Sequence, residues 1–219
     1  MSKLVAYLAQ FFNYIKDFIA GIVPNDGFAY FLAIFVFTGI VRLVLLPLNM
    51  KQMRSQSKMN EIQPELKKIQ EKYKNDPQKQ QAETMALYKE KGVSPFASCL
   101  PLLIQMPLLF ALFYVFRDLK GIEGVKFLWV TLSKPDPIFI LPIISGITTY
   151  IQSAMMAPKA EEGKPNQMAT MNIGMSIFIV FISLKFSSLL ILYWIINNTF
   201  QIAQNYYMKV SDRKKEETV

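Results

Sequence analysis

Five stretches of this chain, residues 28–48, 94–116, 137–156, 169–184 and 187–208, are apolar for the length of a bilayer crossing or close to it, the fourth being the shortest. In hydrocarbon the backbone must satisfy its own hydrogen bonds, which restricts uninterrupted runs of this kind to helices. A composition of 52% hydrophobic and 18% charged residues fits a polytopic membrane protein with soluble connections. The expected fold is therefore an all-α membrane protein with a five-helix transmembrane core.

The connections complete the organisation. Within residues 1–27, the stretch 4–23 is apolar, but Gln10, Asn13 and Asp17 recur at helical spacing with Lys16 beside them, the pattern of an amphipathic helix lying in the interface. The turn Pro24-Asn25-Asp26-Gly27 leaves open a second arrangement, two antiparallel spanning helices. No A-x-A-like site follows Lys3 and the first apolar stretch, so a cleaved signal is not expected. Between the first two spans, in residues 49–93, Met59, Ile62, Leu66, Ile69 and Tyr73 recur at spacings of three and four, the seam of one helix pairing with another. Pro64 suits a first helical turn, Asn75-Asp76-Pro77 a reversal, and a return helix would carry Ala82, Met85, Ala86 and Tyr88. This predicts a helical hairpin, either a binding element or a self-contained solvated pair.

Basic residues orient the chain. Ten Lys and Arg fall in residues 49–93, two in the loop 157–168 and four in the tail 209–219, against seven in the connections of the opposite side. The bias places those sixteen in the cytoplasm, with the N-terminus outside and the C-terminus inside. Residues 117–136 then form an external loop, with Trp129 as an interfacial anchor.

Arg42 stands inside the run FAYFLAIFVFTGIVRLVLLP, residues 28–47, and none of the five spans contains Asp or Glu. A charge at the centre of a membrane helix costs roughly 2.5–3.5 kcal/mol on insertion scales and marks a functional position unless it snorkels to the interface. The remaining polar residues are sorted by depth. Thr38, Gln105, Thr148, Thr149, Gln152 and the Asn198/Gln201/Asn205 face lie in the middle or inner half of their spans, whereas the outer halves hold only small hydroxyls and Tyr. Amides at one depth on several helices imply a hydrated cavity open to the cytoplasm, or, alternatively, interhelical hydrogen bonding. In the cavity reading, water holds Arg42 at rest.

Enzymatic chemistry has little support. The chain has no His and a single Cys99, which argues against acid/base catalysis near neutral pH, a disulfide framework and a Cys-rich metal site; no catalytic residue, metal or cofactor is expected. A channel or porter needs polar lining across the full thickness, and a half-depth cavity suits a polar segment carried partway across instead. Ten of the twelve methionines fall in the hairpin, the inner helix ends or the inner loop, where flexible side chains suit varied apolar partners or simply fill gaps.

The stretches TGIVRLVLLPLNMKQMRSQSKMNEIQPELKKIQEKYKND, ALYKEKGVSPFASCLPLLIQMPLLFALFYVFR, FLWVTLSKPDPIFILPIISGITTYIQSAMM and LYWIINNTFQIAQNYY resemble the YidC/Oxa1/Alb3 insertases, in their bacterial YidC branch. The resemblance spans residues 5–210 and implies a bacterial plasma-membrane protein that inserts nascent membrane proteins, alone or beside the Sec translocon. It also implies that Arg42 is the groove arginine, that Gln152 and Trp194 line the groove, and that Tyr193 and Trp194 form an aromatic pair near substrate. The expected substrate groove is thus Arg42, Thr38, Gln105, Gln152, Tyr193, Trp194 and Asn198. Expected partners are nascent chains, the ribosome, the Sec translocon, a targeting receptor and membrane lipid, with no nucleic acid substrate. A small transporter and a hairpin-docking scaffold are the competing functions.

Overall fold

The computed structural model describes residues 2–94, 110–116, 119, 121–157 and 167–216. Its helices are α1 (Ser2–Ala20), α2 (Asp26–Val44), α3 (Leu46–Glu61), α4 (Gln63–Lys72), α5 (Pro77–Glu90), α6 (110–116), α7 (Ile140–Met156), α8 (Gln167–Ser183) and α9 (Ser188–Glu216). Between α6 and α7 a small antiparallel ribbon pairs β1 (Lys126–Phe127) with β2 (Val130–Thr131), inside a segment expected to be plain loop.

Short polar side chains set the helix boundaries. Asn25 caps α2 by accepting the Phe28 N–H at 2.9 Å, and Asp76 caps α5 by accepting from Lys79 at 3.1 Å. Asp136 begins α7: its carboxylate accepts the N–H groups of Ile138 at 3.1 Å and Leu141 at 2.7 Å, plus the Trp129 indole at 3.1 Å. Trp129, expected as an interfacial anchor, is thereby tied to the start of α7. Pro47 accounts for the end of α2 at Val44: without an N–H it cannot continue the hydrogen-bond ladder, and the chain restarts as α3 from Leu46. The expected first span, 28–48, is therefore interrupted at Leu45, and its last residues belong to α3.

α1 folds back along α2. Phe12, fully buried, meets Phe37 at 5.7 Å and Phe116 at 5.5 Å, while Lys16 sits 5.8 Å from the Tyr30 ring, so rising positions in α1 meet falling positions in α2. The main core joins these residues to Ile34, Leu112, Leu132, Leu189 and Tyr193. Two glycines permit close approach. A Cβ at Gly27 would lie 1.9 Å from the Lys126 carbonyl oxygen, and one at Gly146 would lie 2.3 Å from Val180 Cγ2, where α7 crosses α8. The start of α9 is tied to the ribbon segment by Ser188 N–H to the Lys134 carbonyl at 2.8 Å and Leu189 N–H to that of Leu132 at 3.0 Å.

α4 and α5 share a separate apolar cluster of Met59, Ile62, Leu66, Leu87 and Val93. The expected return face is met only in part: Tyr88 packs against this cluster, but Ala82, Met85 and Ala86 are exposed and Leu87 fills the seam. By length and composition, α2 is the one helix among the described residues able to cross a membrane unaided; α7 and the apolar part of α8, 170–183, are shorter. In α9 the amides at 197, 198, 201, 204 and 205 dilute its apolarity. Much of the expected second span, Gln105 and Cys99 included, lies outside the described residues.

Candidate functional site

Arg42 occupies the last turn of α2, where the negative end of the helix dipole favours a cation by about 0.3–1 kcal/mol. Only 8% exposed, its guanidinium turns toward α9. Nε donates to Asn197 Oδ1 at 3.1 Å, and Nη2 donates to the same oxygen at 2.8 Å and to the Asn197 carbonyl at 3.1 Å. Nη1 donates to Gln204 Oε1 at 3.1 Å and to Gln201 Oε1. Positions 197, 201 and 204 share one face of α9, so a single helix supplies a ladder of neutral acceptors. Where the cavity reading assigns this cation to water at rest, amide oxygens of α9 accept its hydrogen bonds, Asn197 reaching Nε and Nη2 together.

The amides expected on one α9 face divide between two neighbours. Asn198 turns to α7, donating to Thr149 Oγ1 at 3.0 Å and to Thr148 Oγ1 at 3.2 Å; the Trp194 indole donates to Thr149 Oγ1 at 3.1 Å. Thr149 in turn donates to the Ser145 carbonyl at 2.7 Å, and Ser145 Oγ lies 3.1 Å from Ser183 Oγ on α8. Gln201 remains on the Arg42 side and donates to Asn205 Oδ1 at 3.1 Å. Polar pairing across helices, weighed against a wet cavity from sequence, is therefore present together with a cavity.

That cavity, of about 400 Å³, is bounded by α2, α3, α7, α8 and α9. It brings together Thr38, Arg42, Gln152, Tyr193, Trp194 and Asn198, six of the seven expected residues; Gln105 lies outside the described residues. Phe37, Leu112 and Tyr193 close it toward the α1 end, where the buried apolar core begins. Among the described residues, Thr38, 2% exposed, has no hydrogen-bond partner for its hydroxyl, and neither does the Gln52 side-chain nitrogen. Both line the cavity, where an incoming polar group could meet them. Among the described residues no cluster of metal-ligating side chains occurs.

Sequence reasoning missed the contribution of α3. Asn49, Gln52 and Gln56 line the cavity from one face of this helix, at spacings of three and four that were legible in the sequence but belonged to a segment assigned wholly to the hairpin. Asn60, at the end of α3, donates to the Met156 carbonyl at 2.7 Å and ties α3 to the end of α7. Asn197 and Gln204 were missed as partners of Arg42, although a buried guanidinium without a carboxylate requires such acceptors.

The sequence profile described as "60Kd inner membrane protein" matches residues 22–216. The chain is 46% identical over 215 residues to the membrane protein insertase YidC of Clostridium tetani, covering 98% of this chain and 97% of that one. It is 50% identical over 222 residues to the insertase YidC of Clostridium perfringens, covering 98% and 93%. To the membrane protein insertase MisCA of Bacillus subtilis it is 39% identical over 205 residues, covering 92% and 78%. The crystal structure described as an active YidC insertase with the first transmembrane domain resolved has a TM-score of 0.70 and 32% identity; the match covers 94% of this chain and 46% of that one, so this chain spans about half of that protein. Its sequence and its fold thus place the chain in the YidC family of membrane protein insertases.

Proposed function

We propose that this chain is a membrane protein insertase and chaperone without covalent chemistry, which receives newly made membrane proteins in the Arg42 cavity, alone or with the Sec translocon. The observation that carries the reading is the buried guanidinium whose hydrogen-bonded partners among the described residues are all neutral oxygens. A carboxylate on an incoming segment displaces those amides favourably. It brings the full negative charge that the amides lack and matches the guanidinium fork with two parallel hydrogen bonds. At about 4 Å and an effective dielectric near 20, the charge pair adds on the order of 4 kcal/mol. Thr38, Gln52 and Gln152 solvate the accompanying polar backbone, Tyr193 and Trp194 contact its apolar flanks, and the closed α1 end limits how far it travels.

In this reading the core helices span a bacterial plasma membrane, the N-terminus is outside, and α3–α5 with the basic tail face the cytoplasm. There the ten basic residues of 49–93 are available to a ribosome or targeting receptor. The expected result of Arg42→Ala is impaired insertion of single-span substrates with acidic external segments into sealed vesicles, with neutral substrates less affected. Normal insertion of several acidic substrates by a folded variant would overturn the charge mechanism. Steady solute flux without substrate insertion would favour a transporter instead.

A further inference from the structure

A second cleft, of about 380 Å³, lies between α2–α3 and α9, with Arg42 at its edge. Leu43, Leu46, Met50, Phe200, Ala203 and Met208 form much of its apolar lining. We infer that this cleft is a binding site for one acyl chain of an anionic phospholipid of the cytoplasmic leaflet, a reading that rests on α2 and α9 spanning the membrane as proposed above.

Three observations favour an acyl chain. On the α9 side the lining runs from Phe200 to Met208, about 12 Å of helix and close to the ~15 Å of one hydrocarbon leaflet; on the other side it runs from Gly39 in α2 past the break at Leu45 to Met53 in α3. The cleft's lining is apolar apart from Arg42, Asn49, Gln204 and the Tyr207 hydroxyl, which suits a hydrocarbon tail better than a polar segment. Its rim is open: Leu43 and Tyr207 are 69% and 72% exposed, so the apolar interior faces lipid, where a void forfeits dispersion contacts that a hydrocarbon tail recovers. The headgroup preference follows from charge. Met50 and Met208, at the inner end, are followed directly by the exposed lysines Lys51 and Lys209, which suit a phosphate with net negative charge. A seated tail would pack against Arg42 and Gln204, bracing the amide ladder next to the client cavity, with which the cleft shares Arg42, Asn49 and Met53.

The test uses the full chain in vesicles containing phosphatidylglycerol or phosphatidylcholine with a photoactivatable group in the acyl chain, followed by peptide mapping. Expected is labelling of residues 39–50 and 200–208 several-fold above that of the exposed α8 positions Ile173, Ile177 and Phe181. The excess should be larger with phosphatidylglycerol, and should fall to the α8 level when the cleft is filled by Ala203→Trp or, independently, Met208→Trp. Lys51→Gln with Lys209→Gln should abolish the headgroup preference while keeping the label. Equal labelling of cleft and α8, equal labelling by the two lipids, or labelling unchanged by either filling variant would overturn the site. Absence of label from α2 and α8 alike would instead overturn the spanning arrangement and the site with it.

Discussion

At the scale of single residues, the cost of burying Arg42 is met by geometry. Hydrogen bonds to a charged group contribute roughly 1.5–3 kcal/mol each, and Asn197, Gln201 and Gln204 supply side-chain oxygens from one helix face. Because these acceptors are neutral, the charge stays available to a stronger partner. Asn197→Asp should therefore abolish insertion of acidic substrates while raising or preserving the melting temperature, since the chain would then carry its own counter-ion; unimpaired insertion in a folded variant would contradict the proposed role. Thr38 behaves differently. Its hydroxyl is buried without a partner among the described residues, so Thr38→Val should keep stability within about 1 kcal/mol of the parent by thermal denaturation in detergent. A selective insertion defect in that variant would then report on substrate contact.

At the scale of elements, contact between α7 and α8 depends on what Gly146 lacks. Gly146→Ala forces a methyl group against Val180 and should cost about 1–3 kcal/mol, and Val180→Ala added to it should recover much of the loss; a double variant no more stable than Gly146→Ala would refute this account. The α4–α5 pair is held by Leu66 and Leu87 more than by charge. Lys91 and Glu65 approach to 3.0 Å, and this hydrogen bond raises the Lys91 pKa above the ordinary lysine value. A raised lysine contributes across neutral pH and loses its contribution only as pH climbs through the raised value. Both groups are solvated, so Lys91→Gln should leave the melting temperature at pH 7 essentially unchanged.

At the scale of the whole molecule, the Arg42 cavity is an inner volume roofed by apolar packing, and cysteines placed at 38, 42, 152 and 198, with Cys99 replaced, should react with a water-soluble thiol reagent from the cytoplasmic side. Protection of all four would overturn the wet-cavity reading. The largely helical fold and the family were legible in the sequence, because apolar runs without alternation have few solutions in lipid and long ordered motifs are specific. So was Arg42 as the residue to explain, since an intramembrane cation without a carboxylate is visible in the letters alone. Its partners were not. Spacing sets the angle between two side chains on one helix, but not which neighbour that helix turns each side chain toward. Asn197 and Asn198 are adjacent in sequence and about 100° apart around α9, so one reaches Arg42 on α2 while the other reaches Thr149 on α7. That division, the entry of α3 into the cavity wall and the second cleft beside Arg42 all follow from how the helices are rotated and packed against one another, which long-range contacts decide.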